Sequence, residues 1–173
     1  MSEIKQTTER VRLSQWDAIV LESVRALGLD SEELLRRAAE GELPSADNSI
    51  IADFTPLLIL HREQPEVLEQ AVKQGYRIKY NTLGGINTWI KIVFGRDSEV
   101  ERGEGIEGVA VELTAAERER LAPVLSIGWT IERQGEGKPA EVSQNAGNES
   151  FVGENNVGVG EPTFSYRVVP VRA

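Results

Sequence analysis

The spacing of apolar residues changes period at Gly75, and no other feature restricts the possible folds as much. Upstream, Trp16, Ile19, Val20, Val24 and Leu27 recur at helical steps, as do Leu34, Leu35 and Ala38, then Val67, Leu68, Ala71 and Val72. Steps of three and four place side chains on one stripe of a helix. Downstream, Tyr76, Ile78 and Tyr80 alternate with Arg77, Lys79 and Asn81. Leu125, Ile127, Trp129 and Ile131 alternate in the same way with Ser126, Gly128 and Thr130. Alternation marks strands with one buried face. Helices followed by strands predict an α+β fold, with an N-terminal helical layer packed on a small, mostly antiparallel sheet.

Punctuating residues set the boundaries. Ser14 and Asp17 have capping-box-like spacing and open a helix that Gly28 stops. Asp30 caps "SEELLRRAAEG", which ends at Gly41. Thr55-Pro56 supplies an N-cap and first helical residue for "LLILHRE", and Pro65 restarts a helix that Gly75 ends. Strands are expected at 76–82, 109–113, 125–132 and 164–171. "TAAE" at 114–117 is a capping box for a helix running to about Ala122. Ile86, Trp89, Ile90 and Val93 fit either a helical face closed by Gly95 or the return arm of a hairpin; the helix is the preferred reading. The helix near 14–27 and the strand at 125–132 are expected to share a core, with Trp16 and Trp129 as large contributors. One domain follows, 1–132 with 164–173, its helical part at 13–75. Residues 133–163 hold six glycines and read as a flexible Gly/Asn/Glu-rich loop.

Several chemistries are excluded or made improbable by composition. The chain has 173 residues, enough for a substantial core, and no cysteine, which removes disulfides, thiolate metal sites and cysteine nucleophiles. A single histidine, His61, leaves little room for a histidine-rich metal site. The sequence implies no cofactor and no metal. The longest aliphatic run, Leu57 to Leu60, is too short to span a bilayer, and "MSEIKQTTER" lacks the apolar core of a signal peptide. No membrane association and a cytoplasmic location are the expectations; oligomeric state is not legible.

Charge is unevenly spread. The net charge is −9, yet the 27 residues from Gln70 to Arg96 contain Lys73, Arg77, Lys79, Lys91 and Arg96 and neither Asp nor Glu. This basic segment at 73–96 is the most informative feature for function. Arg77 and Lys79 project from one face of an expected strand, and Gly84-Gly85 at a helix start offers free N–H groups beside Asn87. Trp89 and Lys91 add an aromatic ring and a cation. Arg77, Lys79, Gly84, Gly85, Asn87, Trp89 and Lys91 are therefore the candidate partner- or anion-binding residues. Without catalytic motifs, the preferred reading is a non-catalytic regulatory or adaptor protein that binds an acidic protein partner. Nucleic-acid binding through the same segment is the second reading. The overall acidity argues against wholesale coating of nucleic acid, and the strand-like Tyr76–Leu83 stretch argues against a helix-turn-helix.

Two other patterns are weaker. "GEGIEG" at 103–108 has the spacing of a dinucleotide-binding loop. That loop requires a buried strand before it and a helix after it. Here "RDSEVER" precedes, charged and unlike a strand, while the strand-like "VAVEL" follows, and Glu104 and Glu107 would repel a pyrophosphate. An acidic connector fits better. Asp53 in the apolar "IIADFTPLL" could be a buried general base with His61 as acid partner, which gives a third reading: a small-molecule enzyme or ligand-binding domain with its pocket there. The bland alternative is a helix cap and a half-exposed helical histidine.

Overall fold

Six helices and six strands succeed one another among the described residues, 9–44, 51, 53–135 and 161–172 of the computed structural model. Strand β1 (Val11–Leu13) leads into α1 (Gln15–Arg25), where the Ser14 hydroxyl accepts from the Asp17 N–H at 3.0 Å. Helix α2 (Ser31–Glu40) starts at the Asp30 carboxylate, which accepts from the Glu33 N–H, and stops at a left-handed Gly41. Helices α3 (Thr55–Glu63) and α4 (Pro65–Gln74) are joined at Gln64, each with a proline in its first turn. Then come β2 (Tyr76–Ile78), α5 (Leu83–Phe94), β3 (Ser98–Glu101) and β4 (Gly108–Thr114). Helix α6 (Ala115–Leu121) precedes β5 (Trp129–Arg133) and β6 (Thr163–Pro170).

The fold is mixed α+β with its helices mostly N-terminal, as the change of period predicts. Strands β3, β4, β6 and β5 lie in that order in one wholly antiparallel sheet. The helical reading of 86–94 holds. Thr82 caps α5, its hydroxyl accepting from the Gly85 N–H, and Gly95 closes it in the left-handed conformation. The capping box of Thr114 and Glu117 opens α6 with both reciprocal bonds formed.

Four local expectations are corrected. The strand expected over 76–82 ends at Ile78 and pairs in parallel with β1, a strand the sequence reading did not expect. The strand expected over 125–132 begins only at Trp129, because the Val124 and Leu125 N–H groups bond back to the Leu121 carbonyl and curl the chain into a turn. Trp16 is 52% exposed and is not a core residue; α1 packs instead on α5 and α3 through Ala18, Val20, Leu21 and Val24. "SEVE", charged as it is, forms β3, because an edge strand of an antiparallel sheet needs only one apolar face. The loop expected at 133–163 lies almost wholly outside the described residues. Its two ends belong to β5 and β6.

A single apolar core runs from the helical layer to the sheet. Leu21, Leu34, Leu57 and Leu68 fill the space among α1 to α4, and Ile86, Trp89 and Ile90 of α5 carry it toward Val109, Val111, Leu113 and Val168. Trp89 is 2% exposed and meets Phe94 edge-on at 5.4 Å. Its indole N–H donates to the Tyr76 hydroxyl at 2.7 Å, and that hydroxyl donates to the buried Glu22 at 2.8 Å. Burial of Tyr and Trp demands such partners, since a buried N–H or O–H without one costs about 1–3 kcal/mol.

Candidate interaction surface

The basic segment is divided by the fold. Lys73 pairs with Glu69 at 2.6 Å, Lys91 with Asp97 at 2.6 Å, and Arg96 with Glu117 at 3.3 Å. The acids that neutralise the first two sit just outside the acid-free stretch, and the third comes from α6. Trp89 is buried, and Asn87 accepts from the Ser98 hydroxyl, which ties α5 to β3. Gly85 lies beneath the side-chain amide of Gln15, whose Oε1 accepts from the Thr82 N–H at 2.8 Å and whose Nε2 donates to the Thr82 hydroxyl at 3.1 Å. The Gly84 carbonyl accepts from the Thr88 hydroxyl. Trp89, Asn87 and Gly85 are thus committed to packing and internal bonds, and they do not converge with Arg77 and Lys79 on one face.

What replaces that segment is a row the sequence reading missed. In the parallel β1–β2 ribbon, Val11, Arg12 and Leu13 stand opposite Tyr76, Arg77 and Ile78. Register partners point to the same side of a sheet. Leu13, Tyr76 and Ile78 are buried, so Arg12 and Arg77 share the outer face. The Lys79 N–H donates to the Leu13 carbonyl, extending the ladder by one step, and Lys79 is exposed. At the other end the Arg10 guanidinium lies over Gly75, where an added Cβ would meet its Nη1 at 2.8 Å. Arg10, Arg12, Arg77 and Lys79 therefore form one basic row. Among the described residues a single carboxylate pairs with it, the exposed Glu9, at 3.3 Å from Arg12. The signal was present in the sequence: "RVRL" repeats the cation-apolar alternation of "YRIK".

Apolar groups adjoin the row. Asn81 and Ser126 exchange hydrogen bonds, Asn81 N–H to Ser126 Oγ at 3.2 Å and Ser126 N–H to Asn81 Oδ1 at 2.7 Å. The Arg77 guanidinium also donates to the Leu125 carbonyl at 2.9 Å. These ties bring together the segments that carry Tyr80, 84% exposed, and Ile127, 75% exposed, their Cα atoms within about 15 Å of each other by chain geometry. Trp16 follows Gln15, which is bonded to Thr82, so it joins the same end of the molecule.

The remaining candidates resolve simply. Asp53 is exposed, and its carboxylate accepts from the hydroxyl and the N–H of Thr55, at 2.6 and 2.9 Å. The Thr55 hydroxyl foremost, then the N–H, holds its pKa below the usual value. A buried base with a raised pKa is not what Asp53 is. His61 is half-buried on α3. Gly103 to Glu107 lie in the turn of the β3–β4 hairpin and Gly108 opens β4, a strand where a helix would be needed, so "GEGIEG" lacks the frame of a dinucleotide loop. Among the described residues no group of three or more His, Asp or Glu side chains is placed to hold a metal ion, and no helix is long and apolar enough to cross a membrane.

No protein-family model matches this chain, and no curated protein or solved structure matches it either. Function has to be read from its own surface.

Proposed function

We propose that this chain is a non-catalytic interaction protein that docks an acidic segment of a partner protein on the β1–β2 ribbon. The observation that carries the reading is the Arg12–Arg77 register, which lines up Arg10, Arg12, Arg77 and Lys79 on a molecule of net charge −9. Like charges directly opposite on neighbouring strands are unfavourable by themselves, so an external anion is the natural complement. Three paired residues per strand give a row about 10 Å long, the scale of a short peptide rather than of a duplex footprint. Tyr80, Ile127 and Trp16 supply the exposed apolar and aromatic surface that interface centres favour.

The test is titration of a labelled Asp/Glu-rich peptide containing leucine, with a single-stranded oligonucleotide and a Gly/Ser peptide as comparisons. Saturable binding of the acidic peptide at low salt is expected, weakened at least about tenfold by Arg10→Glu, Arg12→Glu and Lys79→Glu combined, with the melting temperature retained. Unchanged affinity in that variant would sink the proposal. Preference for the oligonucleotide, with steep salt dependence, would transfer the surface to the nucleic-acid reading, for which the exposed Tyr80 ring offers a stacking platform.

A further inference from the structure

On the outward face of the four-stranded sheet, far in sequence from the basic ribbon, Arg167 crosses from β6 over β4 to reach Glu101 on β3. Its Nε donates to Glu101 Oε2 at 2.6 Å. The crossing depends on Gly108, the register partner of Glu101, where an added Cβ would meet Arg167 Nε at 3.2 Å and the Val168 carbonyl at 3.0 Å. The pair leaves the far edge of the guanidinium unused. Among the described residues neither Nη1 nor Nη2 of Arg167 has a hydrogen-bond partner, and of the two only Nη2 is sealed from solvent.

Arg167 also lines a cleft of about 400 Å³ with Glu107, Thr130, Glu132, Val169 and Arg172. Glu132 is its direct register partner on β5, and Thr130 is that of Val169, so these four form the floor. Partners so placed have Cβ atoms about 5 Å apart, yet Arg167 pairs with Glu101 and leaves Glu132 unpaired among the described residues. The rim is closed where Arg172 Nη2 donates to the Gly105 carbonyl at 2.7 Å, tying the chain after β6 to the hairpin turn. Two cations and two carboxylates thus face a cleft with an apolar side formed by Val169, Pro170 and Val171.

We infer that this cleft binds a small zwitterion of the α-amino-acid class. The ligand carboxylate lies on Arg167 Nη1, the accessible end of the guanidinium, in a charge-assisted hydrogen bond. The ammonium lies between Glu132 and Glu107, and a short aliphatic side chain lies on Val169 and Pro170. A plain anion offers Glu107 and Glu132 no counter-charge, and a plain cation offers Arg167 and Arg172 none. Only a ligand with both charges satisfies both walls.

The experiment is heteronuclear NMR titration of the full chain with glycine, L-alanine and L-valine, beside acetate and methylammonium as single-charge probes. Saturable shifts of the Thr130, Glu132, Arg167 and Val169 amides are expected with the amino acids, strongest for L-valine. Glu132→Gln and Arg167→Lys should each weaken binding about tenfold or more. Glu132 is exposed near a sheet edge, so its variant tests the site even if changes at Arg167 impair folding. Absence of saturable shifts with every amino acid, acetate binding as tightly as L-valine, or full affinity in Glu132→Gln would each overturn the inference.

Discussion

Arg12 and Arg77 are register partners in a parallel strand pair and point the same way, and among the described residues no carboxylate bridges them. Glu9 reaches Arg12 alone, from an exposed position where an ion pair contributes little. Like-charged residues directly opposite on paired strands are a local cost to the fold, which is why their alignment points toward something outside it.

Replacing Arg12 by Thr should therefore leave the protein as stable as before or stabilise it by about 0.2–1 kcal/mol. The gain should shrink in added salt, because screening already weakens the repulsion that the substitution removes. Thermal melts of both proteins at low and high ionic strength check this. A clear loss of melting temperature in the variant would show Arg12 to be a structural residue.

Tyr76→Phe should destabilise the fold by about 1–3 kcal/mol, because it leaves the Trp89 indole N–H and the buried Glu22 short of a partner. Burial foremost, then the Glu22 charge, raises the Tyr76 phenol well above its ordinary value of 10.0. The folded state thus holds this proton more tightly than the unfolded chain does. Its stabilising contribution is complete below pH 10 and declines as pH rises toward the native value. Of the three tyrosines, Tyr76 is expected to form phenolate only as the chain unfolds, and the phenylalanine variant should lose less stability on the alkaline side. Phenolate absorbance and denaturant melts measure both.

Glu33 sits between Arg36 at 2.7 Å and Arg37 at 2.6 Å on α2. The Arg36 hydrogen bond first, then that of Arg37, lowers its pKa from 4.5 to about 2. A depressed carboxylate contributes stability that is present above its unfolded value and is lost as pH falls toward the native one. Carbon NMR of the side-chain carboxyl should place its midpoint near 2, and removing both guanidiniums should return it toward 4.5. A midpoint already near the ordinary value would refute the pairing.

Gly85→Ala should cost about 1 kcal/mol or less, since the new methyl group would push the flexible Gln15 amide off Thr82 and break its exposed hydrogen bonds there. In a Gln15→Ala background the overlap disappears. There the same change is expected to be neutral or favourable by up to about 1 kcal/mol, the ordinary advantage of alanine over glycine within a helix. A double-mutant cycle by chemical denaturation reads the coupling directly.

Local chemistry was legible wherever one residue determines its own neighbourhood. The Ser14, Asp30 and Thr114 caps, the stops at Gly41 and Gly95, and the helix over 83–94 all depend on groups within a few positions of each other. Patterns needing distant partners were misread. "SEVE" looks unlike a strand until β4 supplies its hydrogen bonds, and Leu125 to Ile131 alternates without being extended throughout. The basic segment was read as one surface because no acid lies within it, but Glu117 reaches Arg96 from α6 and Asp97 turns back to Lys91.

By itself the sequence determined the class of fold, the principal helices with their caps and the absence of thiol chemistry, because periodicity, caps and composition act locally along the chain. Tertiary structure alone decided which charges remain available. Charge is neutralised through space, and only parallel pairing of β1 with β2, across more than sixty residues of chain, sets Arg12 beside Arg77.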